Sequence, residues 1–351
     1  MKEAGNEAIV HEGVLQTLAF NHGLCCCVVG VCGPAVVHER VGRGINLKRW
    51  RNPLRIGRRT LRKSYGSFLK LQFVIPRGAT NSRRESTQGV SVDEDGDLVV
   101  RRKNDSADME ESFMFIEYEN STKLEAVGLQ IWRGAFLLAD HIIANVSTIY
   151  KGKAVVELGA GTGLTSIVAA MFAKRVIATD LDEFSVLDLI KSNLKHNEKF
   201  VQSEFRIQPL DFTNTSWSPE LEEFISQADV ILAADVVYHE RITQAFVTTL
   251  KKILSCGNKS KDIFIAMEKR YAFTIYDLDT VAPMYAHFVD ELESVLNLSA
   301  SSQSSFAVMH RSGSTSVQLT IQQIPLSFPQ YFNYERTKEL VLWHLSSTIT
   351  P

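Results

Sequence analysis

"VVELGAGTGLTSIVAAMFAKRVIATDLDEF", Val155 to Phe184, carries the pattern that decides the fold. A short apolar run ends in glycines at 159, 161 and 163, a helix-like apolar segment follows, and a second apolar run ends at Asp180. Glycine lets the chain turn sharply and lets a ligand touch backbone, because it has no Cβ. The start of the next helix offers free N–H groups and a positive dipole end. An acid at the tip of the second strand can accept both hydroxyls of a ribose, so a nucleoside ligand is expected. The dinucleotide fingerprint needs glycines at i, i+2 and i+5; here they fall at i, i+2 and i+4, with Leu164 at i+5. Glu157, just before the loop, repels a pyrophosphate and suits a ligand bearing positive charge. A sulfonium and an α-amino group meet that description, which makes S-adenosylmethionine the expected cofactor.

Outward from this unit, strands and helices alternate. "GLQIWRGAFLLADHIIANV" has Leu129, Trp132, Phe136, Ile143 and Val146 at helical spacing. "KAVVEL" and "RVIAT" read as the first two strands, with a helix over "LTSIVAAMFA" between them. Asp182 is placed to cap a helix in which Leu187, Ile190 and Leu194 share a face. "FRIQPL", "ADVILAA" and "DIFIAM" are strands three to five, and "RITQAFVTTLKKIL" is a helix with Phe246, Leu250 and Ile253 on its apolar side. Pro283 opens another helix carrying Tyr285, Phe288 and Leu292. "VQLTIQQI" and "ELVLWHL" leave no room for a helix between them and should pair antiparallel. The result is an α/β fold with a mainly parallel sheet, whose ligands bind beyond the carboxyl ends of the strands.

The chain has 351 residues, 45% hydrophobic and 22% charged, with a formal net charge of −2. That balance belongs to an ordinary soluble protein and gives no sign of a nucleic-acid partner. Residues 1–110 read as an N-terminal extension, mostly disordered, and 111–351 as the catalytic domain. Within the extension "LKLQFVIP" and "DLVV" are candidate short strands, and residues 40–63 carry ten Lys and Arg with no acid. Such a block suits nucleic acid, an acidic surface or an import receptor, or is a solvated tail. The five cysteines, at 25, 26, 27, 32 and 256, have neither disulfide nor paired zinc spacing, so a reducing compartment and no metal are expected. Acids at 3, 7 and 12 spoil a signal peptide, and Leu24–Val37 is too short to span a bilayer.

"VVELGAGTG" with "ATDLD" resembles the seven-strand S-adenosylmethionine-dependent methyltransferases. "GLQIWRGAFLLADHI" and "DVVY" are similar to one branch, the non-histone protein lysine methyltransferases, and "MEKRYAFTIYDLD" and "YERTKELVLWHL" extend that likeness across residues 91–345. The resemblance implies a Rossmann-like seven-stranded sheet with helices on both faces and a C-terminal antiparallel strand pair. It implies that Trp132, Glu157, Gly159, Gly161, Gly163, Asp180, Asp211, Phe212 and Ala234 hold the cofactor, with Phe212 standing where relatives have Trp. It also implies that Asp235 and Tyr238, the Asp-x-x-Tyr motif, face the methyl group and the incoming amine. Read as bare features, Trp132 is a core residue, Asp211 a turn residue and Asp235 a helix N-cap. Glu268 and Arg270 are minor candidates for substrate contact, otherwise a surface ion pair, and His239 is given no role. Val236 and Val237 replace the prolines of Asp-Pro-Pro-Tyr enzymes, which favours lysine over adenine or glutamine. No Ser-His-Asp set or carboxylate pair suggests hydrolysis.

The expected activity is transfer of a methyl group to a lysine of an intracellular non-histone protein, in nucleus or cytoplasm. The alternatives are an RNA methyltransferase, supported by the 40–63 block, and a cofactor-binding interaction module without catalysis. A monomer is expected, with no membrane partner, and nucleic-acid-associated or chaperone proteins are candidate partners beside the protein substrate.

Overall fold

The computed structural model describes residues 67–76, 109–274, 279–296, 303–310 and 313–350. The cysteine run, the 40–63 basic block, "DLVV" and most of the expected disordered extension lie outside the described residues. In chain order the elements are β1 (Ser67–Pro76), β2 (Met109–Tyr118), α1 (Arg133–Ala144), β3 (Ala154–Leu158), α2 (Leu164–Ala169) and β4 (Arg175–Asp180). Next come α3 (Val186–His196), β5 (Glu204–Pro209), α4 (Pro219–Gln227), β6 (Val230–Ala234), α5 (Glu240–Leu254) and β7 (Asp262–Glu268). The chain closes with β8 (Ala272–Thr274), β9 (Asp279–Val281), α6 (Pro283–Leu296), β10 (Gln303–His310), β11 (Gly313–Gln323) and β12 (Leu340–Thr350).

The main sheet runs β10-β11-β12-β7-β6-β3-β4-β5. The five strands from β7 to β5 are parallel, and β12, β11 and β10 add to β7 antiparallel. Seven of these strands match the expected sheet; β10 is an eighth, at the edge beyond the expected pair. Successive residues of the central strands point into different cores. Val155, Val230, Leu232 and Phe264 pack toward α1 and α2, whereas Val156, Ile231, Ala233, Ile263 and Ile265 pack toward α4, α5 and α6. A sheet buried on both faces needs continuous apolar strands, and these provide them. Between β3 and β6 the strand order reverses, which opens a crevice at their carboxyl ends.

The helices differ from the sequence reading at their ends. The segment read as one helix from Gly128 is a short 3-10 turn, Leu124–Leu129, followed by α1, so Trp132 precedes the helix and does not lie on its apolar stripe. The helix after β4 starts at Val186, with Ser185 before it in left-handed conformation (φ 63°), and Asp182 does not cap it. Helix α4 has no counterpart in the sequence reading. Its signals are nonetheless local: the Ser218 hydroxyl accepts from Leu221 N–H at 3.2 Å, and Pro219 stands in the first turn.

Part of the expected N-terminal extension is folded onto the domain. Strands β1 and β2 form an antiparallel hairpin, and Leu71, Phe73, Met114 and Ile116 enter the same core as α1 and α2. The hairpin's free edge is met by a helix. Asn193 accepts from Glu117 N–H (2.6 Å) and donates to Glu117 C=O (3.0 Å). One turn on, at the C-cap of α3, Asn197 accepts from Phe115 N–H (3.0 Å) and donates to Phe115 C=O (2.7 Å). Both asparagines are 0% exposed. Spaced four residues apart they stand on one helix face and meet alternate residues of β2, as a neighbouring strand would. Asn193 also donates to Thr162 C=O at 2.9 Å, tying the hairpin to the glycine loop.

Asn197→Ala strips partners from both backbone groups of Phe115, each costing about 1–3 kcal/mol when left unpaired. Urea unfolding of this variant is expected to show a loss of roughly 2–4 kcal/mol.

Candidate active site

Each strand end at the crevice contributes one element of the site. After β3, Gly159 and Gly161 have φ of 66° and 53°, a region costly for other residues. A Cβ at 159 would lie 2.7 Å from Val236 Cγ1, and one at 161 would lie 3.0 Å from Gly128 C=O. Both glycines are therefore required by backbone conformation and by space. At the end of β4, Asp180 accepts from Gly161 N–H and Leu181 N–H, each at 2.7 Å. After β5, Asp211 accepts from Thr213 N–H (2.8 Å) and Thr213 Oγ1 (2.7 Å), forming a side-chain turn at the cavity wall. The neighbouring Phe212 ring packs on Phe246, with ring centres 5.4 Å apart.

Past β6, Asp235 is only 8% exposed and has φ of 53°. Its Oδ2 accepts from Gly134 N–H (2.5 Å), the second residue of α1, and its Oδ1 accepts from Glu268 N–H (3.0 Å), the last of β7. Helix α5 begins after His239, so Asp235 is not its N-cap. Trp132 donates its indole N–H to Val127 C=O at 3.0 Å, and the Arg270 guanidinium lies 4.4 Å from its ring centre.

One cavity is lined by Trp132, Glu157, Gly159, Gly161, Asp180, Asp211, Phe212, Ala234, Asp235 and Tyr238. Of the residues expected to hold the cofactor, Gly163 alone is elsewhere. It precedes α2 with φ of 80°, and its missing Cβ makes room for Ile190 Cγ2. The cavity also includes Gly128, Phe184 and Leu210, which the sequence reading does not single out. Phe184 is an exposed aromatic (47%) with φ of 52°, four residues beyond the acidic strand tip Asp180. A second cavity adjoins the first and shares Val127, Trp132, Asp235 and Tyr238 with it; Met267, Glu268, Arg270, Met284 and Tyr285 line the rest. Glu268 pairs with Arg133 at 2.6 Å, while Arg270 stacks on Trp132, so those two candidates do not pair with each other.

The cavity holds acids that are costly to ionise. Glu157, 1% exposed, is pushed up to about 8 by burial, against hydrogen bonds from Ser166 and Thr165. Asp180 is pushed up to about 6 by burial, despite its two amide donors. Burial also raises Asp235, with the positive charge of Arg270 opposing it, and raises Tyr238, with the charge of Asp180 adding to the effect. A bound cation would reverse the cost at the acids, since an opposite charge favours the ionised form. A cleft that combines this acidity, an acid at the second strand tip and a glycine loop fits S-adenosylmethionine, a nucleoside carrying a sulfonium.

Fold and site together define an S-adenosylmethionine-dependent methyltransferase. Residues 112–280 match the sequence profile of the family described as lysine methyltransferase. The chain is 31% identical to mouse methyltransferase-like protein 22 over 284 residues, covering 77% of this chain and 68% of that protein. Against the human protein of the same name it is 30% identical over 244 residues, covering 66% of this chain and 56% of the relative. Protein N-lysine methyltransferase METTL21A of Xenopus tropicalis is 29% identical over 193 residues, covering 54% of this chain and 82% of the relative. The chain belongs to the lysine methyltransferase family and is a protein-lysine N-methyltransferase.

Without ligand, folded Glu157 keeps its proton up to about pH 8, whereas in the unfolded chain it releases it near the ordinary glutamate value of 4.5. The folded state then binds the extra proton, and stability falls as pH rises from about 4.5 to 8. In Glu157→Gln this part of the slope is absent, so unfolding temperatures at pH 5.5 and pH 8 should lie closer together than in wild type. In Gly134→Ala, the new Cβ would stand 2.5 Å from Asp235 Oδ2 and 3.0 Å from Ala266 C=O. Denaturant unfolding is expected to register a loss of roughly 1–3 kcal/mol.

Proposed function

We propose that the chain methylates a lysine of an intracellular non-histone protein, as a monomer in the nucleus or cytoplasm, with Tyr238 as the residue that orients the amine. The carrying observation is that Trp132, Asp235 and Tyr238 border both cavities, so a group entering through the second cavity meets the first at their side chains. S-adenosylmethionine supplies, when bound, a methyl group made electrophilic by its sulfonium; the glycine loop, Asp180 and Asp211 are the residues that would hold it.

A lysine amine must lose its proton before it can attack, and its ordinary pKa is about 10.4. Removal from water lowers that value, and so does a neighbouring positive charge. Tyr238, its own pKa raised by burial, keeps its phenolic proton at neutral pH. It therefore acts as a hydrogen-bonding group that aims the amine and does not serve as a base. Asp235 already accepts two backbone amides, and this favours a positioning role over proton abstraction. Correct placement of reactants can supply roughly 7–11 kcal/mol of the barrier.

The test is transfer of labelled methyl from S-adenosylmethionine to proteins of cells lacking this enzyme, followed by hydrolysis to amino acids. Labelled methyllysine is expected from wild type and none from Asp180→Ala. Tyr238→Phe, which loses one hydrogen bond, is expected to be slower by roughly tenfold. Label in RNA and none in protein would overturn the reading in favour of the nucleic-acid alternative, and cofactor binding with no acceptor would favour an interaction module.

A further inference from the structure

The second cavity has a charge pattern at its mouth that the reaction itself does not require. Two acids line it, Asp235 and Glu268. Asp235 is buried and holds two amides, and Glu268 is paired with Arg133 at 2.6 Å, a guanidinium that Glu335, outside the cavity lining, shares at 3.2 Å. The next two residues after β7 are Lys269 and Arg270. Lys269 Nζ lies 4.2 Å from the ring centre of Tyr285, and the Arg270 guanidinium lies 4.4 Å from that of Trp132. Both rings line the cavity, so each holds a cation against its wall. Arg270 is exposed, and the chain continues directly into Tyr271, 48% exposed, while Leu124, also in the cavity lining, is 43% exposed.

Resting on the proposed lysine methyltransfer, we infer that this rim is the docking surface for the protein substrate and selects a lysine flanked by acidic residues. An acidic side chain beside the target lysine would meet Lys269 and Arg270 while the lysine's own stem passes between Trp132 and Tyr238. A basic flank would be repelled by the same two charges, and like-charge contact at an interface is a strong selector. Tyr271 and Leu124 supply the apolar surface on which the rest of the segment rests. Holding the cations on aromatic faces fixes their position, which lets them act on neighbours of the lysine and keeps them from filling its path.

The experiment uses the full chain, extract from cells that lack it, and S-adenosylmethionine carrying a deuterated methyl group, with modified lysines located by mass spectrometry. Lys269→Glu with Arg270→Glu is compared with wild type and with Lys269→Glu alone; S-adenosylhomocysteine affinity, measured by calorimetry, reports whether the cofactor cavity is intact. The expected result is Asp or Glu near the lysines modified by wild type, a rate that falls with added salt, and a drop of roughly tenfold in the double variant with cofactor affinity retained. The single variant should fall between. Methyllysine formed without regard to flanking charge, or a double variant within about twofold of wild type, would overturn this inference alone. No methyllysine from wild type would overturn the lysine reading on which it rests.

Discussion

The site is organised around the Asp235 carboxylate. One oxygen holds the first turn of α1 and the other holds the last residue of β7, while the Asp235 N–H donates to Ala266 C=O at 2.9 Å. Three segments distant in sequence are thereby fixed at one buried point, and a φ of 53° turns the chain sharply there. A left-handed non-glycine residue costs on the order of 1–3 kcal/mol and persists only where its surroundings determine it. Trp132 stands two residues before one clamped amide and Tyr238 three residues after the clamp itself. Gly134 belongs to the same arrangement, because any side chain there would collide with the carboxylate.

Electrostatics works with this geometry. Glu157 and Asp180 are held in a low-dielectric cleft where ionisation is unfavourable, and the cost is relieved when a cation enters.

The parallel sheet, the glycine loop and the acidic strand tip were legible in the sequence because each rests on local rules: continuous apolar strands, positive-φ glycines, and an acid at a fixed offset. Helix starts were less so. Trp132 shares the helical period of its neighbours, yet the chain there is pinned by Asp235, 103 positions away if one counts from 132 to 235, and no local pattern reports such a contact. Gly163 looks like its two companions in sequence but packs on Ile190, since the loop has already turned into α2. Strand β2, "MEESFMFIEY", carries no strand-like alternation, with three polar residues followed by four apolar ones, and it is held by pairing with β1 and by side chains of Asn193 and Asn197. Edge strand β10 has few large apolar residues in its sequence, so its pairing with β11 left little periodic trace.

The asparagine ladder on α3 has a consequence for how the protein behaves in a crowded solution. An unpaired strand edge is a template on which another chain can add by backbone pairing, the first step toward aggregation. At Phe115 and Glu117 the donors and acceptors of that edge are already taken by Asn193 and Asn197. The hairpin can therefore sit at the periphery of the domain without offering this side to a foreign strand.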